Sequence, residues 1–259
     1  MTAPNMLLAI DVGNTNIAFG VYRDGEWTNH WRLRTVPEQM PDEYAVLFRS
    51  LFRESDIASG EIDRAVLSSV VPSVTDALTR MLGEQLARAP LVVGPGVRTG
   101  IRIRTDNPSE VGADLVANAV AAYARFEQNC IVVDFGTALT FTAVAVPGDL
   151  LGVAIAPGLN AAAASLSSQT AQLPRVQLAP PPAAIGRNTI HSIQSGVVYG
   201  YIGLVETLIR RMRAEMGGSA LAVATGGLAR VIAPLSDEFA AIEPWLTLDG
   251  LRIIADRNA

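Results

Sequence analysis

Cysteine is nearly absent from this sequence. Cys130 stands alone among 259 residues, so no internal disulfide can form, and a stapled secreted scaffold is excluded. An excess of positive charge is missing too: 20 Lys and Arg face 25 Asp and Glu, a net charge of −5. No global basic field invites nucleic acid. No apolar run approaches the roughly 18 residues that a membrane span needs. The opening Met-Thr-Ala-Pro-Asn-Met lacks a basic stretch, and Asp11 interrupts the first apolar run, which argues against an export signal. Neither common nucleotide fingerprint occurs, the Gly-x-x-x-x-Gly-Lys-Ser/Thr loop or Gly-x-Gly-x-x-Gly. The two histidines, His30 and His191, have no Cys or His at metal-ligand spacing and read as structural. Cys130 reads as a small core residue. With 49% apolar and 17% charged residues, the chain is expected to be a globular cytoplasmic protein with a sizeable core.

An ordered alternation of apolar runs and turns is present. Leu7–Ile10 leads into Asp11-Val-Gly13-Asn14-Thr15-Asn16, followed by an apolar run to Tyr22, a turn at Arg23-Asp24-Gly25, and a third run from Trp27 to Leu33. This reads as strand, tight polar turn, strand, hairpin, strand. The pattern returns at Ile131–Val133, Asp134-Phe-Gly136-Thr137-Ala138, Leu139–Val146, Pro147-Gly148-Asp149 and Leu150–Ala156. Aligning Asp11 with Asp134 also aligns Gly13 with Gly136, which points to a duplicated two-domain architecture. Helical spacing is expected at 42–54, 74–86 and 110–126, and in a long helix capped by Asn188-Thr189 and running to about Met216. That last helix carries Gly196, Gly200 and Gly203, small residues that suit either dense packing on a sheet or a close subunit contact. The whole reads as an α/β protein with mixed sheets.

Chemistry concentrates in the turns. A carboxylate at a strand end can hold magnesium, and glycine lets backbone N–H groups face a phosphate. Two such turns, at Asp11 and Asp134, suit a bound nucleotide. Thr225-Gly226-Gly227 follows an apolar run and leaves room for a base or sugar beside the backbone. Asp114, in a helix first turn, is favoured there by the dipole alone but is also a candidate general base.

As a set these motifs resemble the type III pantothenate kinases of the sugar kinase, Hsp70 and actin superfamily. The resemblance rests on Asp11-Val-Gly-Asn-Thr-Asn16, Ser68-Ser-Val-Val-Pro72, Gly94-Pro-Gly96, Asp106-Asn-Pro108, Gly112-Ala-Asp114, Asp134-Phe-Gly-Thr137, Ala156-Pro-Gly158, Gly186-Arg-Asn-Thr189, Gln194-Ser-Gly196, Thr225-Gly-Gly227 and Leu246-Thr-Leu248. It implies two ribonuclease-H-like domains, drawn at 1–115 and 116–259, with ATP in a cleft between them. It also implies a homodimer with acceptor pockets near the subunit interface. Asp11, Gly13, Asn14, Thr15 and Asn16 would hold phosphates, with magnesium at Asp11. Gly136, Thr137, Gly226 and Gly227 would touch ATP, Asp134 would bind potassium or ammonium, and Asp114 would be the base. Thr105, Gly112, Ala113, Leu115 and Thr189 would line the acceptor.

Three positions depart from the family pattern. Thr105 stands where Tyr is usual, Leu115 where Arg is usual, and Thr142 where Asp is common. The first two family residues contact pantothenate, and a lost hydrogen bond to a charged group costs about 1.5–3 kcal/mol. Arg102 or Arg104 would have to be re-aimed to compensate. These departures favour an ATP-dependent kinase whose small alcohol substrate has changed, to a nucleoside or another natural-product intermediate. The alternatives are an authentic pantothenate kinase serving coenzyme A biosynthesis and a non-catalytic ATP-binding regulator.

Overall fold

The computed structural model describes residues 6–86, 88–170 and 172–259; residues 1–5, read above for an export signal, lie outside the described residues. The chain divides into two compact units. The first holds Met1–Gly100, Asn107–Ala121 and Thr247–Ala259, and the second holds Ile101–Asp106 and Ala122–Leu246. The chain thus passes back and forth between the units, because a short segment near residue 100 and the C-terminal helix each join the unit that is distant in sequence.

The first unit is built on a five-stranded mixed sheet. Its strands are β1 (Leu7–Val12), β2 (Asn16–Arg23), β3 (Glu26–Arg34), β4 (Arg64–Ser69) and β5 (Leu91–Val92), in the order β3-β2-β1-β4-β5. β1 pairs antiparallel with β2 and parallel with β4. A strand in that central place is covered on both faces, which is why Leu7-Leu8-Ala9-Ile10 is a continuous apolar run rather than an alternation. Helices α1 (Pro41–Glu54) and α2 (Pro72–Gln85) bury Phe48, Phe52, Leu78 and Met81 in the same core as Ile10, Phe19 and Leu67. Phe19 stacks on Phe48 and Trp31, with ring centroids 4.5 and 5.2 Å away. Each such fully buried ring contributes about 1.5–3 kcal/mol relative to exposure.

The second unit repeats the plan. β7 (Cys130–Phe135), β8 (Ala138–Ala145), β9 (Asp149–Pro157), β10 (Leu221–Thr225) and β11 (Phe239–Ile242), with the short β6 (Arg102–Ile103), form a six-stranded sheet in the order β11-β10-β7-β8-β9-β6. Read from β9 to β11, this is the first unit's order again, with β6 added at the edge. β1 and β7 have identical burial along their six residues, and in both the fifth, Asp11 or Asp134, is the one position not fully buried. The duplication read from two short motifs is therefore a duplication of whole sheets.

The remaining helices are α3 (Ala113–Phe126), α4 (Leu159–Gln169), α5 (Thr189–Glu215), the short α6 (Ala229–Ile232) and α7 (Leu246–Arg257). The Asn188 side chain caps α5 by accepting from the His191 N–H at 2.9 Å, as residue type and position anticipated. Gly196, Gly200 and Gly203 are exposed on α5, and a Cβ on any of them would meet nothing within 4 Å. Dense packing against the unit's own sheet therefore does not account for them. Within the first unit, α7 approaches α3 so closely that a Cβ on Gly250 would strike the Ala117 carbonyl. There the Thr247 hydroxyl donates to Asn118 Oδ1 at 2.8 Å. Among the described residues no helix is long and apolar enough to cross a membrane.

Candidate active site

In the first unit, β1 carries Asp11 to the sheet's end, in register with Ala18 on β2 and Ser68 on β4. The Ser68 hydroxyl donates to Asp11 Oδ1 at 2.8 Å. The turn beyond is closed by the Gly13 N–H donating to the Asn16 carbonyl at 3.0 Å. Thr35, just after β3, ties the turn down twice. Its N–H donates to the Thr15 carbonyl at 2.9 Å and its hydroxyl to the Gly13 carbonyl at 2.6 Å. Asn14, Thr15 and Asn16 are left exposed at the tip. A rigid turn presenting polar groups beside a carboxylate suits phosphate oxygens.

Asp114 lies in the first turn of α3. Its Oδ1 accepts from the Leu115 N–H at 2.9 Å. A side chain on Gly112 would collide with that carboxylate, so Gly112 makes room for it, with Ala113 between. Burial raises the Asp114 pKa above the ordinary 3.8, and the backbone N–H groups of Leu115 and Asp114 offset part of the rise. A carboxylate so placed is a better proton acceptor than an exposed one.

In the second unit, Asp134 occupies the matching place on β7, in register with Thr140 on β8 and Thr225 on β10. Glycines surround it. Gly226 has φ +92°, and a Cβ there would run into the Asp134 carboxylate and the Phe135 backbone. Gly136 and Thr137 are exposed in the turn after β7, and a Cβ on Gly158, the residue before α4, would strike the carbonyls of both. Gly227, the residue after Gly226, is exposed.

The acceptor-side residues are dispersed. Thr105, in the second unit, is half-buried, and its Oγ1 is buried with no hydrogen-bond partner among the described residues. Thr189 is exposed at the start of α5. Leu115 is buried at 7% exposure. Arg102 and Arg104 both reach Asp149, at 2.6 and 3.2 Å, so neither is aimed elsewhere to stand in for an arginine at 115. Thr142 is a buried β8 residue opposite Val132 and Val153. His30 packs beside Trp27, 5.3 Å between centroids, and burial lowers its pKa. Burial lifts the Cys130 thiol to about 11, an inert core thiol. Ser68, Thr35 and Gly158 were not singled out as site residues from the sequence. Their roles depend on strand register and close approach, which local spacing does not encode.

Two sheets of the same order, each delivering an aspartate into a glycine-containing turn, place the chain in the duplicated α/β class of actin-like fold. Comparison with known proteins makes this particular. The family model described as type III pantothenate kinase matches residues 7–211. A type III pantothenate kinase of Moorella thermoacetica is 50% identical over 98% of this chain and 100% of its own length. One of Myxococcus xanthus is 47% identical over 98% and 99%. A solved structure from Campylobacter jejuni, described as a conserved putative Baf family transcriptional activator, matches with TM-score 0.61 at 18% identity. It covers 97% of this chain and 98% of its own, a likeness of fold alone. The chain belongs to the type III pantothenate kinase family. It is an ATP-dependent kinase acting on an alcohol. Identity this high along the whole chain favours an authentic pantothenate kinase over the changed acceptor inferred from Thr105 and Leu115.

Proposed function

We propose that this protein transfers the γ-phosphoryl group of ATP to the hydroxyl of pantothenate, the entry step toward coenzyme A. The observation that carries the reading is half-identity over 98% of the chain to a protein named a type III pantothenate kinase. In the step, the pantothenate hydroxyl oxygen bonds to the γ-phosphorus, the bond to the β–γ bridging oxygen breaks, and ADP departs. Asp114 takes the hydroxyl proton. Such catalysis is mostly positioning and charge stabilisation.

The residues fit the groups the family implies. Magnesium in kinases is held by one or two carboxylates plus phosphate oxygens. Among the described residues no trio of His, Cys, Asp or Glu converges, and a single oriented carboxylate at Asp11 beside the exposed turn is the donor set such a metal needs. It would neutralise charge on the phosphates while Gly13, Asn14, Thr15 and Asn16 orient them. Asp134, with the Gly136 and Thr137 turn, suits potassium or ammonium, and Thr137, Gly226 and Gly227 leave space for the nucleotide. Thr105, Gly112, Ala113 and Thr189 are the residues that the family resemblance assigns to the acceptor, and the Thr105 hydroxyl has no hydrogen-bond partner among the described residues. The active unit is a homodimer, a reading supported by the open glycine face of α5. Light scattering should then return twice the chain mass of 27.4 kDa.

The test is ADP release with magnesium and potassium, comparing pantothenate with a panel of nucleosides and sugar-like alcohols, with product mass checked. Pantothenate should be the preferred acceptor. Turnover of another alcohol with none of pantothenate would overturn the proposal and restore the changed-acceptor reading.

A further inference from the structure

We propose that Ser68 is a positioning residue for the phosphate-side carboxylate, holding Asp11 in the orientation that magnesium-bound ATP requires. The proposal rests on the phosphotransfer reading above but not on the identity of the acceptor. Ser68 sits on β4, between β1 and β5, next to Leu67 of the first unit's core, and is completely buried. A hydroxyl there is costly unless paired, and an apolar residue would pack as well. Its partner is Asp11 Oδ1, at 2.8 Å. A carboxylate turns easily about its last bond. A hydrogen bond from a rigid central strand restrains that rotation.

The duplication supplies an independent observation. Among the described residues only Thr35, Ser68, Asn118, Thr142 and Thr225 are buried polar or charged side chains. Two of the five occupy the same place in the repeated sheet. Ser68 is in parallel register with Asp11, and Thr225 is in parallel register with Asp134. β10 places Thr225 after the apolar Leu221–Ala224 and leaves it 1% exposed. Each follows an apolar run on its strand, Ala65–Leu67 before Ser68 and Leu221–Ala224 before Thr225. A hydroxyl across from the strand-end aspartate is thus a repeated part of the unit. Thr225 also indicates that a β-branched hydroxyl residue is compatible with the position.

The test is calorimetric binding of ATP to the full chain, with and without magnesium, for the wild type, Ser68→Ala and Ser68→Thr. Thermal melts check that each variant folds. Ser68→Ala should weaken magnesium-dependent ATP binding about tenfold, the lower end for a hydrogen bond to a charged group. It should leave metal-free ATP binding within about twofold, since that binding draws on the turn rather than on the carboxylate plane. Ser68→Thr should bind like the wild type. Unchanged magnesium dependence in the alanine variant would overturn the proposal. So would an equal loss with and without metal, which marks a general structural fault. A threonine variant as weak as alanine would also overturn it, because shape and not the hydroxyl would then matter. Because the readout is nucleotide binding, failure of the pantothenate assay leaves this result intact, and the reverse holds too.

Discussion

The two halves of this molecule carry the same strand order, the same carboxylate position and a buried hydroxyl residue in register with it, yet the backbone around that carboxylate differs. In the first unit a side-chain hydroxyl grips Asp11 from the neighbouring parallel strand, and the adjoining turn is braced by Thr35. In the second unit two glycines, Gly226 and Gly136, flank Asp134, and a Cβ on either would meet its carboxylate oxygen. The turn beside Asp11 is braced by a side chain, and the space beside Asp134 is kept open by glycines. A duplicated sheet thus supplies the same scaffold twice and leaves the surroundings of one residue to differentiate the copies. The first unit adds Asp114 on α3, a half-buried acid of raised pKa.

The largest effect should come from the group that carries the proton. Asp114→Asn keeps the shape and removes the base, so turnover should fall by about 10²–10⁴-fold while calorimetry shows ATP binding largely unchanged. Equal turnover would remove Asp114 from the mechanism and leave the asymmetry between the units without a chemical meaning.

Its neighbour tests the other side of the same helix turn. Leu115→Arg introduces the residue usual in the family, but at a buried position. An uncompensated buried charge costs about 3–5 kcal/mol, so denaturant melts should show a large loss of stability, with no gain in pantothenate affinity. A stable variant with a lower KM for pantothenate would show that position 115 turns readily toward the acceptor.

The glycines sharpen the comparison directly. Gly226→Ala forces a Cβ into a residue at φ +92° and against the Asp134 carboxylate, strain of about 1–3 kcal/mol. Gly13→Ala meets only the Asn16 carbonyl at 3.3 Å, which a small shift relieves at under about 1 kcal/mol. Thermal melts of the two variants should therefore differ, with the second-unit variant the less stable. Equal losses would mean that both turns tolerate a side chain alike.

Much of this was legible in the sequence. The paired motifs at Asp11 and Asp134 located both strand ends, and α1, α2, α3 and α5 followed from apolar spacing and caps. Other parts were not legible, for identifiable reasons. β6 spans only Arg102–Ile103, too short for any period to show. The Asp11–Ser68 bond spans 57 residues and exists only through strand pairing. Gly226 and Gly227 look alike as letters, while the positive φ belongs to the first. Leu115 read as a missing acceptor contact because a family pattern gives residue type without burial. Folded, it is an apolar residue buried at 7% exposure.

The smallest effect is the most diagnostic of Asp114's surroundings. Burial raises its folded pKa above 3.8, so between 3.8 and the raised value the folded chain holds a proton that the unfolded chain has released. The folded state binds more protons there, and stability falls as pH rises through that window. Above the window the full penalty applies; below it there is none. Asparagine carries no such penalty. Asp114→Asn should therefore melt higher than the wild type near pH 7, by a margin that shrinks as the pH falls toward 3.8. The wild type's turnover should fall as the pH drops through the raised value, since the base must be ionised to act. A melting difference that stays constant with pH would show that Asp114 is as well solvated as an ordinary surface acid. Its candidacy as the base would then rest on position alone.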